Sequence, residues 1–230
     1  MTSLKPTFHG DKSSQGGTNL HGTCHCAAIQ YTIYLPPPPP PPDYTADLTS
    51  GSPSTSELDQ LEFPLVDFDH CDSCRSSAGT LFQTWVIVPQ SWVLFWFERP
   101  QNGRAPPQSA YTNDIINSEI GRHVSTLVTY PSSPEVVRGF CGRCGTNIFY
   151  AGLGIEKEGE APESRVINLT MGSLKKESLE HPACPKPIMH SWWGDQVQWV
   201  KDMIIGKGKN VSGGQPMAEL PTYLEGLGLE

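Results

Sequence analysis

The 230-residue sequence predicts an all-β fold, a compact arrangement of short strands broken by long loop insertions. Three observations carry this reading. Short apolar stretches are separated by turn-rich segments, with little that reads as helix. From Ile29 to Tyr34 the inward candidates Ile29, Tyr31 and Ile33 alternate with Gln30, Thr32 and Tyr34, a period of two that belongs to a half-buried strand. Two cysteine pairs, Cys24-His25-Cys26 and Cys141-Gly142-Arg143-Cys144, flank most of the strands and are placed to tie the ends of one core together.

Taken in order, residues 1–19 read as a flexible, polar and glycine-rich N-terminal arm, and 20–204 as a single domain. Its first strand runs from Ala27 to Leu35. Pro36 to Pro42 is an unbroken proline run, and a low-complexity insertion covers about 36–60. Leu61 to Phe68 returns to apolar character and delivers Asp69-His70-Cys71-Asp72-Ser73-Cys74-Arg75. Thr80 to Val88 and Ser91 to Phe97 read as two strands of a hairpin turned at Val88-Pro89-Gln90-Ser91. Their aromatics, Trp85, Trp92, Phe95 and Trp96, read as core. Glu98 to about Glu119 is a polar insertion. Ser125 to Tyr130 and Val136 to Phe140 are strands around the turn Pro131-Ser132-Ser133-Pro134. Thr146 to Ala151 and Arg165 to Met171 are further strands, and Gly172 to Leu179 is a short helical turn. Residues 205–230 form a loose, glycine-rich tail.

Charge and composition exclude several classes. A formal charge of −8 disfavours a nucleic-acid groove, which needs a basic face. No apolar run is long enough to span a membrane, and the N-terminus lacks the apolar stretch of a signal peptide. The expected location is cytoplasmic or nuclear, where thiols stay reduced, and there six paired cysteines out of seven point to metal before disulfides.

A structural zinc takes four thiolate or imidazole ligands in a closed tetrahedron, and Cys24, Cys26, Cys141 and Cys144 supply four. Closing them on one ion ties a loop of roughly 115 residues. It also predicts that the first strand and the strand after Cys144 lie side by side. His25 points away from the ion. A redox Cys-x-x-Cys normally opens a helix, whereas Cys141 to Cys144 joins two strands. Cys71 and Cys74, with Asp69 as a third ligand, predict a second and different site. Three protein ligands leave a fourth position for water or substrate, as a Lewis-acid zinc requires. His70 would project opposite to Asp69 and Cys71 on an extended segment. Cys184 reads as a buried small residue rather than a nucleophile, with completion of the second site left open.

These residues together resemble the glutathione-dependent formaldehyde-activating enzyme family, also called the CENP-V/GFA domain family. The matching motifs are Gly22-x-Cys24-x-Cys26 with Tyr31, His70-Cys71-x-x-Cys74-Arg75 with Ala78-Gly79, and Ser133 with Arg138-Gly139-Phe140-Cys141-x-x-Cys144-Gly145-Thr146. Pro187 to His190 and Trp199 are similar to the family's ending. The resemblance spans about residues 20–200 outside the insertions. It implies a small Mss4-like β-sandwich or β-tent, a structural zinc on Cys24, Cys26, Cys141 and Cys144, and a second, more labile zinc on a Cys-x-Cys-x-x-Cys motif. It also implies condensation of glutathione with formaldehyde, a carbon–sulfur lyase reaction in reverse. The chain departs from the family in carrying Asp69 where the second motif has its first cysteine. A carboxylate there makes the metal a stronger Lewis acid and a less firmly bound one. A free Asp69 would instead serve as general base.

The function expected is therefore a zinc-dependent carbon–sulfur lyase-type enzyme acting on a small thiol adduct, such as a glutathione–aldehyde adduct, or on a related carbonyl metabolite. Asp69, Cys71 and Cys74 are its candidate catalytic residues. Arg75 and Arg138 are candidates to neutralise a substrate carboxylate, with ordinary salt bridges as the alternative. The contrasting reading is a non-catalytic zinc scaffold that binds a protein through exposed aromatics or the proline tract.

Overall fold

The computed structural model describes residues 17–37, 63–98, 109–117, 126–152 and 165–204. The proline-rich insertion beyond residue 37, the tail 205–230 and most of the N-terminal arm lie outside the described residues. The described residues are mostly β, in two sheets with no barrel. Strand β1 (Thr18–Thr23) starts inside the stretch assigned to the arm, and pairs with β2 (Ile29–Leu35). β2 pairs with β5 (Val93–Phe97), and β5 with β6 (Ser109–Tyr111), completing an antiparallel four-stranded sheet.

The larger sheet has the order β11-β3-β4-β10-β9-β8-β7. Its strands are β3 (Leu65–Asp69), β4 (Gln83–Pro89), β7 (Leu127–Ser133), β8 (Val136–Cys141), β9 (Asn147–Gly152), β10 (Val166–Thr170) and β11 (Met189–Ser191). All its pairs are antiparallel except β11 with β3. Helices are short: α1 (Asp72–Ala78), α2 (Thr112–Asn117), α3 (Lys176–Leu179) and α4 (Gln198–Ile204).

One core lies between the sheets. The smaller sheet contributes Leu20, Ile29, Tyr31, Ile33 and Phe95, and the larger contributes Val66, Val86, Val88, Val137, Phe149, Ile167 and Leu169. Phe95 meets Phe149 across the layers at 6.0 Å between ring centroids. Side chains alternate along a strand, so the residues between these core positions belong to the opposite face of the larger sheet. Registered across the strands, that outer face carries Asp67 and Asp69, then Trp85, Asn168, Tyr150 and Arg138. Trp85 is fully buried, yet it is absent from the inter-sheet core, and this refines its reading as an ordinary core aromatic.

Four local expectations are corrected. β4 and β5 are not a hairpin: after Pro89 a single 3-10 turn, Gln90–Trp92, carries the chain from the larger sheet to the smaller. The Gln90 N–H donates to the Arg165 carbonyl (2.9 Å) and its side-chain amide to the Val166 carbonyl (3.2 Å), so this corner is satisfied without a hairpin partner. The turn around Pro131 begins later, because β7 runs on to Ser133 through a bulge. β7 is an edge strand, where a proline's missing N–H costs no ladder bond. The stretch 98–119 is more than a polar loop, since β6 and α2 bury Ala110 and Ile115. The first long strand, β2, and the strand after Cys144, β9, do not lie side by side. They belong to different sheets, and the cysteines meet where turns of the two sheets converge.

Candidate metal centres

The turn after β1 carries Cys24 and Cys26, and the turn from β8 to β9 carries Cys141 and Cys144. Their four sulfurs lie within 4.8 Å of one another. Cys24 Sγ is 3.6 Å from Cys26 Sγ, and Cys26 Sγ is 3.7 Å from Cys141 Sγ. A tetrahedron with metal–sulfur bonds of about 2.3 Å has edges of about 3.8 Å, whereas a disulfide needs about 2.05 Å. The spacing therefore fits a shared ion and excludes disulfides, and all four cysteines are free thiols.

Local backbone chemistry holds the turns in place. Gly145 takes a left-handed φ of +75°, and its N–H closes the turn on the Cys141 carbonyl at 2.7 Å. A Cβ on Gly142 would stand 2.7 Å from Val128 Cγ2. Arg143 and Cys144 turn backbone N–H groups to the Cys141 sulfur. On the facing turn, Ala27 adopts φ +61° without being glycine. The His25 N–H donates to Thr146 Oγ1 (3.0 Å), which stitches the two turns together, and the residue is exposed.

The thiols of the metal-free cluster are unequal. Burial pushes Cys24 up to about 12 and also raises Cys141. Burial opposes ionisation of Cys144 too, but the Thr146 hydroxyl and the Thr146 and Cys26 backbone N–H groups bring it down to about 5. An incoming cation must therefore displace protons from the buried pair.

The second group is Asp69, Cys71 and Cys74, again with ligand atoms within 4.8 Å of one another. β3 delivers Asp69 on the outer face of the larger sheet. Cys71 then caps α1, its sulfur accepting the Cys74 N–H at 3.2 Å, and the first turn of the helix carries Cys74 back toward it. A helix at Cys71–Cys74 is absent from the sequence reading. It is the arrangement that the sequence reading associated with redox pairs and denied to Cys141–Cys144.

Both oxygens of Asp69 are oriented: Oδ1 accepts the Cys71 N–H (2.9 Å) and Oδ2 the Trp85 indole N–H (3.2 Å). Each keeps a lone pair for a metal. The hydrogen bond shared between Cys71 and Cys74 lowers the Cys71 thiol and raises the Cys74 thiol. Arg138 Nη2 donates to Cys74 Sγ at 3.3 Å. The donor set, one hard oxygen and two soft sulfurs, fits zinc with one coordination position to spare.

Around this group stand residues that the sequence reading did not single out. Asp67 is buried, with Oδ2 accepting from the Ser191 hydroxyl at 2.6 Å and, among the described residues, no hydrogen-bond donor to Oδ1. Burial raises its carboxyl to about 7. The Tyr150 ring lies edge-on to Trp85 at 4.8 Å, and burial, then the Asp69 and Asp67 carboxylates, hold its phenol well above the ordinary value. An alternating Asp67-Phe68-Asp69 is the signal that places two carboxylates on one strand face. His70 faces the other way, with Nε2 2.8 Å from His190 Nδ1 and Nδ1 2.9 Å from the Gln196 amide nitrogen. It does not belong to the ligand group. Cys184 is buried in the core and does not complete the second group. Arg75 makes a surface ion pair with Asp72 (2.7 Å).

No family model matches this chain. No curated protein matches it either. Among the described residues, no helix is long and apolar enough to cross a membrane.

Proposed function

We propose that the domain is a zinc-dependent carbon–sulfur lyase-type enzyme, similar to the glutathione-dependent formaldehyde-activating family, acting on a small thiol adduct or a related carbonyl metabolite. Cys24, Cys26, Cys141 and Cys144 would hold a structural zinc, and Asp69, Cys71 and Cys74 a second one. The observation that carries the reading is the contrast between the groups. One offers four sulfurs, enough for a closed tetrahedron; the other offers three ligand atoms, oriented by Trp85, the Cys71 N–H and Arg138, one short of that number. Asp69, Cys71 and Cys74 would hold a zinc ion there, which when bound would supply a site for a thiolate and polarise an oxygen.

In the addition direction a sulfur–carbon bond forms, the carbonyl π pair moves onto oxygen, and that oxygen takes up the proton the thiol gives up. The reverse step breaks the same bond and returns the carbonyl. The chain's contribution is orientation. Trp85 and the Cys71 N–H fix the Asp69 carboxylate, Ser191 fixes Asp67, and Asp67 Oδ1 is available to accept a substrate hydroxyl. Exchange NMR on glutathione with formaldehyde, then with other small aldehydes, tests the proposal. The zinc-loaded protein should accelerate adduct exchange, and Asp69→Ala with Cys71→Ser should abolish the acceleration. Full metal loading with no acceleration for any adduct would favour the scaffold reading.

A second reading is favoured by one specific observation, the capping of α1 by Cys71. A lowered thiol at a helix start with a buried partner three residues on is the arrangement of a dithiol redox pair. Reversible Cys71–Cys74 disulfide formation in metal-free protein, with a measurable potential against glutathione, would support it.

A further inference from the structure

We infer that Arg138 is the receptor for a carboxylate of the substrate at the Asp69/Cys71/Cys74 centre. The inference deepens the proposed function and rests on its metal-site reading. Arg138 is only 5% exposed, on β8 in the interior of the larger sheet. Its Nη2 is occupied, donating to Ser73 Oγ (3.2 Å) and to Cys74 Sγ (3.3 Å), which aims the guanidinium into the centre. Nε and Nη1 are buried and have no hydrogen-bond partner among the described residues. Among the described residues no carboxylate stands within ion-pair distance of it, whereas Arg75 is spent on Asp72 and Arg143 on Glu98.

A buried cation is ordinarily paired, because leaving its donors unmet forfeits hydration with nothing in exchange. Cys74 answers one nitrogen only. The plane is held from β9, where Tyr150 sits opposite Arg138 in register and places its ring 5.3 Å from the guanidinium carbon. The charge count gives this arrangement a use. A divalent cation held by one carboxylate and two thiolates leaves one net negative charge (two plus, three minus), and Arg138 cancels it. Without Arg138 an anionic substrate would be repelled; with it, the ion, its three ligands and the guanidinium sum to zero, and two buried N–H donors stay unpaired. A thiolate is the softer anion and suits the metal, while a carboxylate suits a guanidinium. The substrate class that fits is a thiol or thiol adduct carrying a carboxylate near its sulfur.

The test uses full-length chain loaded with Co²⁺, whose visible spectrum reports ligands arriving at the metal. The probes are 3-mercaptopropionate and its uncharged counterpart 3-mercaptopropanol. Wild type should bind the carboxylate by about tenfold or more over the alcohol, the range for a hydrogen bond to a charged group. Arg138→Met should erase that preference, read as the ratio of the two affinities so that any loss common to both probes cancels, and Arg138→Lys should keep part of it. If Arg138→Met loses metal, Arg138→Lys and the wild-type preference carry the comparison. Equal binding of the two probes by wild type, or a preference that survives in the variants, overturns the inference and leaves the open centre standing. A cobalt spectrum that neither probe changes overturns both.

Discussion

Breaking the four-sulfur clasp should cost the domain about 5 kcal/mol of stability. The figure follows from where the ligands lie. In the folded chain the four sulfurs lie within 4.8 Å of one another, and two of the six edges, 3.6 and 3.7 Å, are already at metal-bound spacing, so binding needs little rearrangement. An unfolded chain can offer the same four only by closing the loop between Cys26 and Cys141, which are 115 positions apart. The chain-entropy relation for a loop of that length gives about 5 kcal/mol at room temperature. The ion should therefore favour the folded state by about that much, a large share of the ~5–15 kcal/mol typical of a domain. The second centre uses ligands from one short segment, so its closure term is small. The perturbation is Cys26→Ser with Cys144→Ser, which removes one ligand from each turn and spares the fully buried Cys24 and Cys141. Urea unfolding followed by tryptophan fluorescence, with saturating zinc, should show the midpoint falling by about 2 M or more at an ordinary dependence on denaturant. A chelator should bring wild type to nearly the same place. If substitution and chelation each change the unfolding free energy by less than about 1 kcal/mol, the clasp does not bridge the sheets.

Four further outcomes follow from named residues. Trp85→Phe removes the indole donor to Asp69 Oδ2 and should weaken metal at the second centre about 10- to 100-fold while leaving the clasp ion in place, read by competition with a colorimetric chelator. Ala27→Gly relieves a left-handed backbone that disfavours a Cβ by about 1–2 kcal/mol, against a glycine entropy cost of about 0.5–1, so it should be neutral or stabilise by up to about 1.5 kcal/mol in thermal unfolding. Because Cys24 and Cys141 hold protons that an ion must displace, zinc affinity of the clasp should rise with pH, by about tenfold per pH unit for each proton released, and a flat profile from pH 6 to 8 would contradict the picture. In metal-free protein the sign reverses: a Cys24 thiol raised from 9.0 to about 12 favours folding below pH 9, and that stability is lost as pH rises toward 12.

The sequence showed the parts of this molecule that depend on local pattern. Ile29, Tyr31 and Ile33 are inward because a strand alternates, and the clasp cysteines meet because two tight turns each present a pair of sulfurs. What stayed hidden depends on pairing between distant strands. Val88-Pro89-Gln90-Ser91 has the chemistry of a hairpin turn, yet Gln90 finds its partners at Arg165 and Val166, and β5 leaves for the other sheet. Cys71 as a helix cap was not legible, because Asp72 to Ala78 is too short for a periodic signal. The setting of the second centre was the least visible part. Asp67, Trp85, Tyr150 and Arg138 come from four strands and share a face only through their register. β8 carries both Arg138, which touches Cys74, and Cys141, which belongs to the clasp, so the fold links the two centres through one strand.

The central claim is a closed centre beside an open one, and metal content per chain tests it most directly. Gently purified full-length protein should carry two zinc ions, and Asp69→Ala with Cys71→Ser should carry one. One ion in both proteins would leave only the clasp, and with it no basis for chemistry at Asp69, Cys71 and Cys74.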